Sequence, residues 1–187
     1  MTLPQAFART FGGHRLTLQS GEYAFCQDDP TTGLFSVVSG YVELRRVTKD
    51  GTSVVLHHAG PGETFAEASL FSQTYHCDAV AQTACELVQF KKADVLSQLQ
   101  THNETSLAFI EHLSGQVQRY RLLLQLCAIR RADDRVLAAM RAGFQPESWK
   151  SFAPQIGLTH EAVYRALSAL TKRGLIVRKD RGVYALI

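Results

Sequence analysis

The sequence predicts an α+β chain: an N-terminal β-barrel or jelly roll (a double-stranded β-helix), a long dimerisation helix, and a C-terminal winged helix-turn-helix. Three observations predict it. Residues 14–90 break into short apolar or alternating runs separated by turn residues. From about Thr101 the apolar spacing becomes helical. Residues 148–171, SWKSFAPQIGLTHEAVYRALSALT, read as two short helices joined by a tight turn, and a basic hairpin pattern follows. The expected domains are residues 1–98, 99–131 and 132–187.

The strand candidates are residues 15–18, 23–26, 34–38, 41–47, 53–56 and 86–90. Between them lie Ser20-Gly21, Asp28-Asp29-Pro30, Ser39-Gly40, Lys49-Asp50-Gly51 and Gly60-Pro61-Gly62. Short strands at regular spacing suggest a small barrel or jelly roll, with a helical turn only around residues 67–71. Further on, Ile110, Leu113, Val117, Tyr120, Leu124 and Cys127 recur in alternating steps of three and four. That is a heptad seam, the pattern of a helix pairing with another helix. Leu107, Leu122, Leu123 and Leu126 widen the apolar face, so the helix is expected to pack on its own barrel as well. Ala132-Asp133-Asp134 reads as a hinge, with Asp133 or Asp134 capping a helix over 135–141, followed by a loop over 143–147.

In the C-terminal part, Gly157 stands where a tight interhelix turn needs positive φ, which glycine adopts without Cβ strain. Small Ala153 falls where the two helices touch, and Phe152, Ile156, Leu158, Val163 and Leu167 supply the apolar faces. Thr159 is a good N-cap, so the second helix begins near His160. Its inward stripe is Ala162, Val163, Ala166, Leu167, Ala169 and Leu170. His160, Glu161, Tyr164, Arg165 and Ser168 are left outward. Pro154 removes a backbone donor inside the first helix, which is expected to kink or start late. LIVRKDRGVYALI then forms two apolar runs about Lys179-Asp180-Arg181-Gly182, a hairpin signal. Helix, turn, helix and basic hairpin together predict a domain whose second helix enters the DNA major groove.

Charge agrees. Residues 1–114 carry 7 Lys/Arg against 12 Asp/Glu, whereas residues 115–187 carry 13 against 5. A basic C-terminal half is the footprint expected for phosphate binding. No apolar run approaches the ~20 residues that span a bilayer, and MTLPQAFARTFGG lacks the continuous apolar core of a signal peptide. A cytoplasmic protein without membrane contact is expected, with Cys26, Cys77, Cys85 and Cys127 reduced.

Barrel, long helix and winged helix in that order resemble the CRP/FNR family of transcription regulators across nearly the whole chain. GPGETFAEASLF at 60–71 looks like that family's phosphate-binding cassette, and THEAVYRAL at 159–167 looks like its recognition helix. The resemblance implies a cyclic-nucleotide-binding-like sensor domain, a homodimer, double-stranded DNA carrying a TG-containing inverted repeat, RNA polymerase as a partner, and no enzymatic activity. It assigns base reading to Glu161 and Arg165, the family's Glu and Arg four residues apart, with His160 and Tyr164 at variable positions. An arginine fork suits guanine O6 and N7, and a carboxylate accepts from cytosine N4. Thr159, Lys172, Arg173, Lys179 and Arg181 are the phosphate-contact candidates.

The cassette departs from the family. Members that bind cyclic nucleotides use Gly-Glu at one end and Arg-Ser or Arg-Thr at the other; here these positions hold Ala66-Glu67 and Cys77-Asp78. A phosphate opposite a carboxylate, with no arginine, is repelled, so neither cyclic AMP nor cyclic GMP is expected to bind. Other signals stay open: haem or metal through His57, His58, His76 or Cys77, a small molecule, or redox change. In a parallel seam Cys127 would face its symmetry mate, as a disulfide partner or simply as a small hydrophobe. An N-terminal iron–sulfur cluster is disfavoured, since only Cys26 lies near that end. Two rivals are a ligand-independent DNA-binding protein and a cupin-type metalloenzyme. The second rests on Gly51 and His57, but Ala59 stands where its next ligand should be and Glu63 falls too late.

Overall fold

The computed structural model describes Phe7 and residues 12–48, 50–51, 53–146 and 148–187. Most of the N-terminal stretch read for a signal peptide, the turn residue Lys49 and the loop residue Glu147 lie outside these. The chain divides into two compact units, Met1–Ser114 and Gly115–Ile187.

The first unit is built on eight strands: β1 (His14–Leu18), β2 (Tyr23–Phe25), β3 (Gly33–Ser39), β4 (Val42–Val47), β5 (Ser53–Ala59), β6 (Thr64–Phe65), β7 (Asp78–Ala81) and β8 (Cys85–Lys91). They form two four-stranded antiparallel sheets, ordered β1-β8-β3-β6 and β2-β7-β4-β5. No ladder joins the two sheets among the described residues, so the expected barrel is a jelly-roll sandwich rather than a closed cylinder. Phe25, Phe35, Val42, Phe65, Tyr75 and Leu87 fill its core. The Tyr75 ring stacks on Phe25, and its buried hydroxyl donates to the Gly33 carbonyl at 3.0 Å. It also accepts from the Thr32 and Gly33 amides, so this hydroxyl is satisfied within the core. Gly33 is required where β3 meets β8: a Cβ there would lie 1.9 Å from the Phe90 carbonyl oxygen.

Sequence periodicity missed β6, which has only two residues, and β7, whose Asp-Ala-Val-Ala is too small and short to stand out. It also missed helix α1 (Lys92–Thr101), which buries Val95 alone. Helix α2 (Asn103–Ala128) follows, and its first half packs Phe109 and Leu113 against Leu34, Leu70 and Phe90.

In the second unit, α3 (Ala132–Arg141), α4 (Trp149–Phe152) and α5 (His160–Lys172) pack with the hairpin β9 (Ile176–Asp180) and β10 (Val183–Leu186). Its core holds Val136, Met140, Phe152, Ile156, Val163, Leu167 and Leu170. Burying each of these large side chains is worth about 1.5–3 kcal/mol. Two expectations need correction. The break after α2 falls at residues 129–131, and Ala132-Asp133-Asp134 form the first turn of α3 rather than a hinge. The residue preceding that helix is Arg131, which makes no side-chain cap, so neither aspartate is the cap. Leu123 and Leu126 belong to this unit's helical core, and Leu107 is exposed.

Pro154 acts as expected. The α-helical bonding of α4 stops at Phe152 and continues as a 3-10 turn over Ala153–Ile156. Gly157 then takes φ 62°, and Thr159 Oγ accepts from the Ala162 amide at 3.2 Å to cap α5. Such a cap is worth about 1 kcal/mol.

Candidate nucleic-acid interface and effector cassette

Helix α5 buries Val163, Ala166, Leu167 and Leu170, and by the helical period this turns the other face outward. His160, Glu161, Tyr164, Arg165 and Ser168 are all exposed there. The Glu161 carboxylate is held below the usual range by its own backbone N–H and the Thr159 hydroxyl, then by the charges of His160 and Arg165. His160 Nε2 lies 2.8 Å from Glu161 Oε1. The outward face therefore carries an ionised acceptor beside an arginine fork, the pair that suits a C·G base-pair edge.

The phosphate-contact candidates divide. Lys172 and Lys179 are exposed, and Arg181 sits in the hairpin turn, closed by Gly182 at φ 80°. The Thr159 hydroxyl already caps α5. Arg173 is half engaged elsewhere: its Nη1 lies 2.9 Å from Asp133 Oδ2 on α3. Sequence reasoning missed Arg178, which lines a cleft with Trp149, Tyr164, Arg181 and Tyr184 between α4, α5 and the hairpin. Its alternation along β9 was the available signal.

The seam residues of α2 form an exposed stripe. Ile110, Val117, Tyr120 and Leu124 are 58%, 47%, 41% and 71% exposed, whereas Leu113 is half-buried. Cys127 is exposed, and its Sγ points to the Gln155 carbonyl at 3.8 Å.

The cassette lies around the helical turn Glu67–Ser69. Ala66 takes φ 72°, a left-handed conformation costing a non-glycine residue roughly 1–2 kcal/mol. Glu67 is buried, yet its carboxylate is not empty-handed. His112 Nε2, on α2, donates to Glu67 Oε1 at 2.9 Å, and the Thr64 hydroxyl donates to the same oxygen. Burial alone would raise the Glu67 pKa, but the bonds from His112, Thr64 and its own backbone, with the His112 charge, bring it below the usual value. Sequence reasoning gave no role to His112, which falls in no motif, nor to Thr64, although it lies within GPGETFAEASLF at 60–71.

At the cassette's other end Cys77 is buried, and burial with the neighbouring Asp78 charge raises its thiol to about 11. Asp78 Oδ1 accepts from the Gln27 amide at 2.8 Å. The β4–β7 pairing sets Arg45 opposite Asp78, with Nε 3.9 Å from Oδ2. The same guanidinium donates to the Tyr23 hydroxyl. Arg45 is thus a positive charge that motif reading missed, and it is turned to a carboxylate, while the charge of Arg46 is felt at Cys77.

The four metal-ligand candidates are not brought together. His57 pairs opposite Leu44 and His58 opposite Glu43 on adjacent β5 positions, which point to opposite faces. His76 Nε2 lies 2.9 Å from the Ser72 hydroxyl. Among the described residues no group of three or more His, Cys, Asp or Glu side chains is placed to hold a metal ion.

Residues 15–102 match the family described as the cyclic nucleotide-binding domain. The cyclic AMP receptor protein of Thermus thermophilus is 30% identical over 169 residues, covering 83% of this chain and 76% of that protein. The nitrogen fixation regulation protein FixK of Bradyrhizobium diazoefficiens is 26% identical over 190 residues, covering 93% and 78%. The solved structure of FixK2 from Bradyrhizobium japonicum matches with a TM-score of 0.74 at 19% identity, covering 93% of this chain and 92% of that one; this likeness is one of fold.

Proposed function

The chain belongs to the CRP/FNR family of transcription regulators, and on that premise we propose that it is a homodimeric, sequence-specific DNA-binding regulator whose signal is not a cyclic nucleotide. Its relatives are transcription regulators, not enzymes. In this reading residues 1–98 sense, 99–131 dimerise through the α2 stripe, and 132–187 form a winged helix-turn-helix.

The observation that carries the reading is the outward face of α5. Glu161 and Arg165 stand exposed on a capped helix, in the half of the chain with 13 Lys/Arg against 5 Asp/Glu. Arg165 and Glu161 read bases, with His160 and Tyr164 beside them. Lys172, Lys179, Arg181 and Arg178 contact phosphates, which position the protein without specifying sequence. Two copies joined along α2 read the two halves of an inverted repeat, and RNA polymerase is the partner through which the bound dimer acts.

Selection from a random duplex pool tests this. Enrichment of a TG-containing inverted repeat, with affinity falling steeply as salt rises, is the expected result. No enriched sequence at any salt concentration would refute it.

The occupied cassette supports a second reading, in which DNA binding needs no effector. Glu67, the acid that would hold a ribose hydroxyl, already takes bonds from His112 and Thr64. Full-affinity binding by protein stripped of small molecules separates this reading from a sensor. An absorbance spectrum with elemental analysis on anaerobically purified protein sorts the remaining signals. A Soret band or stoichiometric metal points to haem or metal, and a clean spectrum points to thiol redox or an organic effector.

A further inference from the structure

The Arg135 side chain, in the first turns of α3, is spent entirely on backbone oxygens. Its Nε donates to the Ile129 carbonyl at 2.8 Å, and Nη2 donates to the same oxygen. Its Nη1 donates to the Ile156 carbonyl at 2.8 Å and the Gly157 carbonyl at 3.0 Å. Ile129 belongs to the break between α2 and α3; Ile156 and Gly157 form the turn that leads into α5. One planar cation therefore bridges the end of α2 to the start of the helix that carries Glu161 and Arg165.

The surroundings reinforce the bridge. The carbonyls at the end of a helical turn carry partial negative charge and lack intrahelical partners, so a guanidinium satisfies both needs. Gly157 leaves the space: a Cβ there would sit 3.3 Å from Arg135 Nη1. Two residues before Arg135, Asp133 holds Arg173 from the far end of α5 at 2.9 Å. The first turn of α3 thus holds the turn that leads into α5 and the residue that follows it.

We propose that Arg135 is a positioning residue for DNA recognition, fixing the orientation of α5 to the end of α2 so that movement of that end is carried to the base-reading face. This rests on the assignment of base reading to α5. A lysine cannot replace the fork, because an ammonium is a point charge that cannot hold three separated carbonyls in one plane.

The test uses full-length Arg135→Lys and Arg135→Gln, with binding measured to the duplex selected by the wild-type protein and to a scrambled duplex. The expected result is a loss of about tenfold or more in affinity for the selected site, the scale of charged hydrogen bonds. Affinity for the scrambled duplex and its salt slope stay unchanged, since Arg135 faces carbonyls and not phosphate. An unchanged ratio of specific to non-specific affinity overturns the inference, even if both melting temperatures fall. A wild-type protein that binds no duplex overturns the regulator reading itself, and this inference with it. Should neither variant fold, hydrogen exchange on the wild type decides. The amides of Ile129, Gly157 and Leu158 are expected to open together as one cooperative unit. Protection of Ile129 that differs from the other two by more than about tenfold, and responds differently to denaturant, overturns the coupling.

Discussion

The Arg165 guanidinium and the Glu161 carboxylate share one exposed face of α5. A bidentate arginine contact discriminates its base pair by about 1–3 kcal/mol, so Arg165→Ala should relax selectivity by that amount at a single position of each half-site. Binding to a panel of singly substituted duplexes checks this, and equal weakening on every duplex would mark Arg165 as a phosphate contact. A second residue-scale effect lies in the sandwich. Burial pushes the His58 imidazole below its ordinary value of 6.5, with Glu43 pulling weakly the other way. Its Nε2 makes no hydrogen bond. Near that pH the unfolded chain binds more protons at this site than the folded one, so stability rises with pH. The contribution is full above the ordinary value and is lost as pH falls below it. Urea melts of His58→Gln at pH 5.5 and 7.5 should show a smaller difference between the two conditions than the wild type shows.

At the scale of elements, the Glu67–His112 bond ties the cassette to α2. His112→Ala leaves a buried carboxylate short of a donor, which should cost about 1–3 kcal/mol of stability in denaturant melts, while His112→Gln, still a donor, should cost less. Because Glu67 is held below its ordinary 4.5, its share of stability is present above that value and lost as pH falls through the folded pKa; His112→Ala should make the onset of acid unfolding less dependent on Glu67. None of this was legible in the sequence, because the two residues are 45 positions apart and no motif joins them. By contrast, the α4–α5 turn was legible to the residue, since Gly157 and Thr159 act through local backbone chemistry. The strands β6 and β7 were not, because two residues and the four-residue Asp-Ala-Val-Ala are too short to carry a period. The break before α3 was misplaced because Asp133 and Asp134 look like caps but serve as first-turn acids, Asp133 holding Arg131 and Arg173. The heptad spacing of α2 was visible in the sequence; Ile110, Val117, Tyr120 and Leu124 are exposed, whereas Leu113 packs on the sandwich core. If the proposed dimer forms along α2, Leu124→Glu sets like charges across its two-fold seam and should give a monomer in sedimentation, with binding to the proposed inverted repeat weakened far more than binding to a single half-site.

For the molecule as a whole, the question to test is whether a cyclic nucleotide binds, because residues 15–102 match the cyclic nucleotide-binding domain while the proposed signal is a different one. Recognition of a cyclic phosphate needs an uncommitted cation and an open acid for the ribose. Here Arg45 is turned to Asp78 and Tyr23, the buried Cys77 carries a neutral thiol at physiological pH with Arg46 as the other cation felt there, and the Glu67 carboxylate is bonded within the protein. A ligand that binds only the folded state stabilises it by RT ln(1 + [L]/Kd), about 2.7 kcal/mol at a hundredfold excess over Kd, which moves the melting temperature of a domain of this size by several degrees. Cyclic AMP or cyclic GMP at about 1 mM should therefore leave the melting curve unmoved, and leave the affinity for the selected duplex unchanged as well. Both readouts matter, since a nucleotide could stabilise the sandwich without reaching α5. A shift of several degrees would show that the phosphate finds its cation after all, with Arg45 released from Asp78 as the first residue to test by substitution. A flat curve together with tight DNA binding would mean that the regulator is active without a cyclic nucleotide.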